Sequence, residues 1–427
     1  MGGIKMKRVM SLLFCVFMML MCVSPVSIRA EGKTSPPKSA WWTKCWAEWE
    51  PSDDSNVTYS ITIYQNGEAV EWASTIETKY DCHAALNDSG NGDKNTYYFT
   101  VTATRPNKRE SEAAVSPEQP GQSIYRIAGD NRYKTAMSIA DDVINIYYGD
   151  QPSEVIILAS GNNFPDALSG SFLAIKNYAP ILLINRNNAA DIRSYVRHHL
   201  TDDGKIYVLG GQRAVADEWV GSLASKYNVV RLAGNNRYET NIKILEEAGF
   251  AWGGNGAMLV CTGKGYADSL SASPIALPML LVGDELTDRQ IAYLKERQGS
   301  EFHIIGGEGA VSEKVAKQLE KYGSMIGRLK GENRYATSRK IAEYYFPEPY
   351  FAFLATGTNY PDGLCGGPLA SIVTAPILLV QNDNVTANTL ISDFIYDRNV
   401  FDGIVLGGEN AVSESTVARA FSFDIYW

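Results

Sequence analysis

Three stretches of the chain carry almost the same eight residues: RIAGDNRY at 126–133, RLAGNNRY at 231–238 and RLKGENRY at 328–335. Their second arginines, Arg132, Arg237 and Arg334, are 105 and then 97 residues apart. A phrase that recurs at a near-constant period is the sequence signature of tandem structural repeats. The sequence therefore predicts three copies of one module, at 121–228, 229–325 and 326–427.

Each copy continues with the same series of segments. An apolar run ends in a small-residue loop that contains an acid, which is Asp166, Asp268 or Asp362. A second apolar run follows, and a third ends in a glycine doublet at 210–211, 306–307 or 407–408. Apolar runs of strand length that alternate with helical patterns predict an open α/β module whose parallel sheet is covered on both faces. Ligands of such sheets bind where the strands end.

The first 30 residues have the pattern of a secretory signal peptide. Lys5, Lys7 and Arg8 precede an apolar stretch, and small residues precede a cleavage position after Ala30. A retained membrane anchor is the alternative, but the apolar stretch is short for a membrane helix. We expect an exported protein in which the polar, proline-bearing residues 31–40 form a linker.

Residues 41–119 have a different pattern from the repeats. Apolar and polar residues alternate in VTYSITIY and in NTYYFTVTAT, and the pair Asn66-Gly67 marks a hairpin turn. The segment resembles a fibronectin type III or immunoglobulin-like domain, which implies an all-β sandwich. Cys45 and Cys82 lie in this region and could form a disulfide in an oxidising compartment.

Charge and motif content exclude several classes of function. A formal net charge of −9 argues against binding of nucleic acid by the surface as a whole, so any anionic partner must meet locally clustered arginines. The four histidines do not recur at equivalent positions, and the HExxH and CxxC patterns are absent. We therefore predict no metal and no cofactor.

The repeated phrase places a positive charge at the start of a helix. Asn131, Asn236 and Asn333 are predicted N-caps, so the second arginine of each phrase lies in the first turn, where a cation opposes the helix dipole. Either each arginine is held by a loop acid of its own or a neighbouring module, or it is offered to a carboxylate or phosphate of a ligand. The glycine doublets are likewise either tight turns or anion cradles.

These motifs, in this order, make residues 121–427 similar to the cell wall binding repeat 2 family of clostridial and other Gram-positive surface proteins. The resemblance implies Toprim-like α/β modules that assemble as an intramolecular pseudo-trimer and bind an anionic secondary cell wall polymer noncovalently. It associates binding with the PILL strands and with nearby polar and basic residues. Module 2 departs from the pattern with Met279 and with the loop GKGYADSL, which points to a degenerate site there.

The predicted polymer-binding residues form three sets: the arginines and asparagines come from the repeated phrase, and the resemblance implies the PILL residues. The arginines are Arg126, Arg132, Arg231, Arg237, Arg328 and Arg334. The asparagines are Asn131, Asn236 and Asn333, and the PILL residues are Pro180, Ile181, Leu182, Leu183, Pro376, Ile377, Leu378 and Leu379. The loop acids Asp166, Asp268 and Asp362 are expected to be structural.

Identical residues at three equivalent positions favour binding over catalysis, because a catalytic site concentrates different residues in one place. Repeated weak sites also raise avidity toward a repeating ligand. The sequence therefore predicts a noncatalytic protein of the cell wall or cell surface, which displays the sandwich from a three-module anchor. Two alternatives stay open: a wall-polymer hydrolase that uses the loop acids, and an adhesin or surface-layer component with an unknown protein or glycan on the sandwich. We expect no nucleic acid partner and no membrane span after signal cleavage.

Overall fold

A computed structural model describes residues 32–86, 94–149, 151–249 and 256–421. The predicted signal peptide, residues 1–30, lies outside these ranges. None of the helices within them is both long and apolar enough to span a membrane. The chain forms two compact units. The first contains the residues up to Trp42, Ala47–Tyr80 and Tyr98–Glu118, and the second contains Thr43–Trp46, Asp81–Tyr97 and the chain from Gln119 onward.

The N-terminal region is built from short strands. They are β1 (Ala40–Thr43), β2 (Trp46–Trp49), β3 (Thr58–Gln65), β4 (Glu68–Thr75), β5 (Lys79–Asp81), β6 (Thr96–Thr104), β7 (Ala114–Val115) and β8 (Gln119–Pro120), with the short helix α1 (His83–Leu86). The sheet orders are β1-β2-β5 and β4-β3-β6-β7, with β8 beside β6. Asn66 and Gly67 have positive φ values of 50° and 85° between the antiparallel strands β3 and β4, so the predicted hairpin is confirmed.

In the second unit, strands and helices alternate along the chain. The strands are β9 (Ile124–Ile127), β10 (Ser153–Ser160), β11 (Ile181–Ile184), β12 (Leu200–Leu209), β13 (Asn228–Leu232), β14 (Ala257–Thr262), β15 (Met279–Val282), β16 (Ser300–Ile305), β17 (Gly323–Leu329), β18 (Phe351–Thr356), β19 (Ile377–Val380) and β20 (Asp402–Leu406). They pair in parallel within each sheet, as the continuous apolar runs predict.

The helices of the modules follow the strands in a regular order. They are α2 (Arg132–Tyr148), α3 (Pro165–Ser169), α4 (Ser171–Lys176), α5 (Ala189–His199), α6 (Asp217–Val220), α7 (Arg237–Ala248), α8 (Ala267–Ala272), α9 (Asp288–Lys295), α10 (Glu313–Leu319), α11 (Arg334–Tyr345), α12 (Gly366–Ile372), α13 (Val385–Asp397) and α14 (Glu414–Phe421). Module 2 has the single short helix α8 where module 1 has both α3 and α4, because fewer residues separate its loop acid from its second strand.

Each module sheet takes its last strand from the next copy of the repeat. The sheet orders are β11-β10-β12-β13, β15-β14-β16-β17 and β19-β18-β20-β9. β13 and β17 carry the opening phrases of modules 2 and 3, and they pair with β12 and β16 of the preceding modules. β9 carries the opening phrase of module 1 and pairs with β20 of module 3. The backbone hydrogen bonds of the sheets therefore connect the three modules in a closed cycle.

One hydrophobic core is shared by the three modules. It contains Leu168 of module 1, Leu270 of module 2 and Leu364 of module 3, each at most 1% exposed. Successive residues of one strand face different cores: Ile157 of β10 contributes to the shared core, whereas Leu158 contributes to a separate core on the other face of the sheet. The inner face of each module is therefore apolar and is buried by the other modules.

Candidate functional site

The loops that follow β10, β14 and β18 meet one another. Each contains an aromatic residue two positions before its loop acid, and these are Phe164, Tyr266 and Tyr360. The ring centroids lie 5.5 to 6.1 Å apart in tilted or edge-on pairs, a favourable geometry for aromatic rings. We call these three half-buried rings the aromatic triad. The Tyr360 hydroxyl donates to the Asn162 carbonyl (3.0 Å) and the Tyr266 hydroxyl donates to the Gly357 carbonyl (2.9 Å), so each tyrosine binds another module.

The first arginines of the repeated phrases bind the neighbouring module. Arg126, Arg231 and Arg328 each donate to the carbonyl of a doublet glycine: Gly407 (2.8 Å), Gly210 (2.7 Å) and Gly306 (3.1 Å), respectively. Each also pairs with a carboxylate in the first turn of the helix after that doublet: Glu414, Asp217 and Glu313. This geometry favours a structural role for the three arginines, in place of the predicted contact with a polymer.

The second arginines lie at helix starts, as the sequence predicts. Each N-cap asparagine accepts hydrogen bonds from two backbone amides through its side-chain oxygen, and the three are Asn131, Asn236 and Asn333. Arg132 and Arg237 donate to the carbonyls of Gly161 (2.8 Å) and Gly263 (2.6 Å) in the loops of their own modules. Arg334 donates to the Gly357 carbonyl and to the Tyr266 hydroxyl oxygen (2.8 Å). The asparagines are therefore helix caps, and the arginines fasten the loops.

Each second arginine also lies near the loop acid of the preceding module. The positive charges of Arg237, Arg334 and Arg132 act on Asp166, Asp268 and Asp362, respectively, in the direction that lowers the pKa of each carboxyl. The guanidinium of Arg237 lies 5.8 Å from the ring centroid of Phe164, and that of Arg334 lies 5.4 Å from that of Tyr266. Of the two explanations for these arginines, the geometry favours clamping between modules.

The loop acids account for the first glycine of each doublet. The first glycines, Gly210, Gly306 and Gly407, have φ values of 92°, 101° and 99°, which other residues rarely adopt. A β-carbon on them would also lie 2.3 to 2.8 Å from a side-chain atom of the loop acid. For the second glycines, Gly211, Gly307 and Gly408, no heavy atom of the described residues, apart from the chain neighbours, lies within 4 Å of such a β-carbon. The first glycine is therefore required by the turn and by the acid, whereas the second is not.

The PILL strands lie in the interior. Ile181, Leu182, Leu183, Ile377, Leu378 and Leu379 are at most 1% exposed. Pro180 and Pro376 are buried as well. A polymer could reach these side chains only if the sheets opened. Their burial favours a structural role within the sheets, and their direct contact with a polymer stays a prediction.

A cleft of about 470 Å³ lies at the junction of modules 2 and 3. The loop after β14 supplies Lys264, Tyr266 and Asp268 to its walls. The glycine doublet turn and the start of α11, including Arg334 and Thr337, supply the rest. Cations, two carboxyl groups, an aromatic ring and hydroxyl groups therefore converge in one concave site, a composition suited to a polar ligand.

Burial perturbs the loop acids. It raises the pKa of Asp166 and of Asp268 to about 6, although a neighbouring arginine acts in the opposite direction. Burial also raises the pKa of Asp362, against the lowering effects of a hydrogen bond with Thr135 and of the charge of Arg132. The ionised forms of these carboxyls are therefore disfavoured in the folded protein.

Replacing both Asp166 and Asp268 by asparagine is expected to stabilise the protein at neutral pH. Because the folded pKa values lie above the ordinary value of 3.8, the folded state binds protons more tightly, and stability is lost as the pH rises from about 4 through 6. A rise of this size corresponds to about 3 kcal/mol per group at most. Thermal unfolding of the double variant and the wild type should differ at pH 7.5 and converge near pH 4. A gap that does not change with pH would contradict the expectation.

The aromatic triad carries a sequence signal that the motif interpretation overlooks. An aromatic residue precedes the loop acid by two positions in FPD, YAD and YPD alike. The aromatic residue is Phe in module 1 and Tyr in modules 2 and 3. The proline between the aromatic residue and the acid is replaced by alanine in module 2, so this recurrence is weaker than that of the arginines.

The described residues contain no group of three or more His, Cys, Asp and Glu side chains arranged to hold a metal ion. Cys45 and Cys82 are both fully buried, and the amide of Cys82 donates to the carbonyl of Cys45 (3.0 Å). The two residues are therefore neighbours. Their pairing as a disulfide stays a prediction, which intact-mass measurement before and after reduction would test.

Three α/β modules with equivalent loops define a tandem-repeat protein. Residues 126–220, 231–316 and 328–417 match the family model of cell wall binding domain 2 (CWB2). These segments make up more than half of the chain, and each extends from the first arginine of a phrase to the helix after a glycine doublet. The chain therefore belongs to the CWB2 family.

Curated relatives include proteins of Bacillus subtilis (strain 168). The chain is 25% identical to N-acetylmuramoyl-L-alanine amidase LytC over 298 residues, and this alignment covers 68% of this chain and 56% of that protein. It is 29% identical to the amidase enhancer over 304 residues, and this alignment covers 69% of this chain and 40% of that protein. The chain thus spans about half the length of the curated relatives that it matches.

Two solved structures resemble the fold. Cwp8 from Clostridium difficile superposes with a TM-score of 0.61 at 22% identity, covering 84% of this chain and 63% of that one. Cwp6 from Clostridium difficile superposes with a TM-score of 0.60 at 16% identity, covering 92% of this chain and 66% of that one. At these identities the likeness concerns the fold alone.

Proposed function

We propose that this chain is a noncatalytic, exported anchor of the Gram-positive cell wall. Its three CWB2 modules bind an anionic secondary cell wall glycopolymer noncovalently and display the N-terminal β region at the surface. The observation that carries the proposal is the presence of three equivalent junctions, each of which joins an arginine, a loop acid and a ring of the aromatic triad. A repeating polymer meets repeating sites, and weak contacts then add up through avidity.

The finer parts of the proposal follow the family resemblance. The modules are Toprim-like and form an intramolecular pseudo-trimer, which the closed cycle of sheet pairings supports. Residues 41–119 form a fibronectin type III or immunoglobulin-like sandwich, which the antiparallel strands and the Asn66-Gly67 hairpin support. The polymer contacts the exposed side of the loops around Arg132, Arg237 and Arg334, where Asn162, Asn163 and Asn359 are exposed.

Binding of the chain from residue 31 to purified walls is expected to weaken as salt is raised from 50 mM toward 1 M. The reason is that added salt shortens the Debye length to about 3 Å and screens contacts between the polymer and the cationic side chains exposed at the junctions. Cosedimentation with walls before and after chemical removal of the secondary polymer measures both dependences. Equal retention on intact and stripped walls would overturn the proposed ligand, and retention unchanged by molar salt would overturn its electrostatic part.

A hydrolase is the first alternative, and the amidase among the relatives gives it weight. Asp166 and Asp268 have pKa values suited to proton transfer near pH 6, but they lie against glycine doublets and beside clamping arginines. Zymography on purified walls separates the two functions. A cleared zone for the wild type that disappears in the D166N/D268N variant would show that the protein is an enzyme and would overturn the proposed noncatalytic function.

An adhesin is the second alternative, and the N-terminal region contains an observation in its favour. Trp72 of β4 is 70% exposed and Ile76, just after β4, is 79% exposed. Exposed apolar side chains on the edge strand of a sheet mark candidate partner surfaces. Walls coated with wild-type protein and with a Trp72→Ala variant should adhere equally to host or bacterial surfaces if the region is only a spacer.

A further inference from the structure

The three junction loops are equivalent in position but differ in charge and bulk. Four positions before the loop acid, module 2 has Lys264, whereas modules 1 and 3 have Asn162 and Thr358. The neighbouring positions in module 2 are occupied by the small residues Gly265 and Ala267, where module 1 has Asn163 and Pro165. These departures from the repeat pattern were expected to degrade the site. In the structure the same residues line the cleft between modules 2 and 3.

We propose that this cleft is the principal polymer site and that it binds a sugar residue with a negatively charged substituent, a phosphate or a carboxylate. The proposal rests on the proposed function and specifies which junction binds and what chemistry it recognises. Small side chains at 265 and 267 open the space, and Lys264 supplies a charge that the corresponding loop positions of the other modules do not have.

Lys264 can exchange its present partner for a ligand. Its ammonium group pairs with Asp284 at 2.5 Å, and the two side chains are 56% and 87% exposed. An exposed pair of this kind is weak because water screens both charges, so a ligand anion can replace the Asp284 carboxylate at little cost. Arg334 also lines the cleft, is exposed and has five N–H donors, which form bonds to Gly357 and Tyr266.

The acids of the cleft are compatible with a sugar. Asp268 and Glu332 line it together with Thr262, Thr337 and Asn333. A sugar offers hydroxyl donors to a carboxylate and hydroxyl acceptors to an amide, and its apolar face can lie against the half-buried ring of Tyr266. A mixed lining of this kind fits a charged sugar better than a bare inorganic anion, because the sugar also brings hydroxyl donors for the carboxyl groups of Asp268 and Glu332.

The test compares charge removal at two lysines in the chain from residue 31. Lys264→Asn introduces the residue that module 1 has at this position, and it should weaken binding to purified Gram-positive walls about tenfold at 50 mM salt, since loss of one charge-assisted contact is worth at least that factor. Lys226→Asn changes the net charge equally at an exposed pair with Asp202 in module 1, and it should bind like the wild type. Thermal unfolding checks that both variants are folded.

Competition identifies the ligand class. Glucose 1-phosphate or glucuronate should displace wild-type protein from walls at lower concentrations than glucose, and neither charged sugar should retain this advantage with Lys264→Asn. If wild-type protein binds no walls, the proposed function itself fails. If it binds and Lys264→Asn binds equally well, or if Lys226→Asn loses as much, the assignment of the site is overturned. If glucose competes as well as the charged sugars, the proposal that the ligand carries a negative charge is overturned.

Discussion

Residues 121–228, expressed alone, are expected to aggregate or to associate rather than to form a stable monomer. In this fragment β9 has lost its partner β20. The partner of β12 is also lost, because the fragment contains only the first residue of β13. Leu168 and the rest of the inner face would also be exposed, at a cost of about 25 cal/mol for each Å² of apolar surface. Light scattering with circular dichroism measures the outcome, and the chain from residue 31 is the reference.

A fragment with shifted ends separates the two causes. Residues 128–232 omit the unpaired strand β9 and include all of β13, so their four-stranded sheet is complete. This fragment should contain more ordered structure than 121–228, yet it should still associate because its inner face stays exposed. If residues 121–228 instead form a folded monomer that binds walls as tightly as the whole chain, then neither closure of the cycle nor avidity matters, and the pseudo-trimer must be abandoned.

The exchange of strands between modules could not be predicted from the sequence, for a geometric reason. A repeat has the same period wherever its boundary is drawn, so the spacing of Arg132, Arg237 and Arg334 identifies three modules without locating their edges. The apolar runs predict parallel strands correctly because burial on both faces leaves a local pattern. Local patterns do not reveal which strand pairs with β12, because that pairing depends on contacts between separate segments of the chain. The pairing of β9 with β20 joins residues at opposite ends of the repeats.

The sequence predicts which residues lie at the candidate site better than it predicts what each of them does. The recurrence of arginines, asparagines and loop acids singled out residues that do lie at the junctions. Their roles depended on neighbours from another module: Arg231 binds the carbonyl of Gly210, and Arg237 acts on Asp166. The PILL residues stay a prediction as polymer contacts. They are buried in the structure, and a conspicuous apolar motif indicates burial at least as readily as recognition.

Gly306→Ala is expected to destabilise module 2 by about 3 kcal/mol, whereas Gly307→Ala should change the free energy of unfolding by less than about 1 kcal/mol. Gly306 has a φ of 101°, and its β-carbon would lie 2.3 Å from Oδ2 of Asp268 and 2.9 Å from Cβ of Ala310. Apart from its chain neighbours, Gly307 has no heavy atom within 4 Å of its β-carbon position in the part of the chain that the structure describes, so this adjacent residue is a matched control.

A double-variant cycle with Asp268→Ala divides this cost into its two parts. Removing the carboxylate relieves the clash but leaves the backbone strain, so Gly306→Ala should be less damaging in the Asp268→Ala background than in the wild type, and the difference is the coupling between the turn and the acid. Urea unfolding followed by circular dichroism gives the four stabilities. Equal effects of Gly306→Ala in both backgrounds would show that the acid does not require the glycine, and equal effects at 306 and 307 would show that the turn does not require it either.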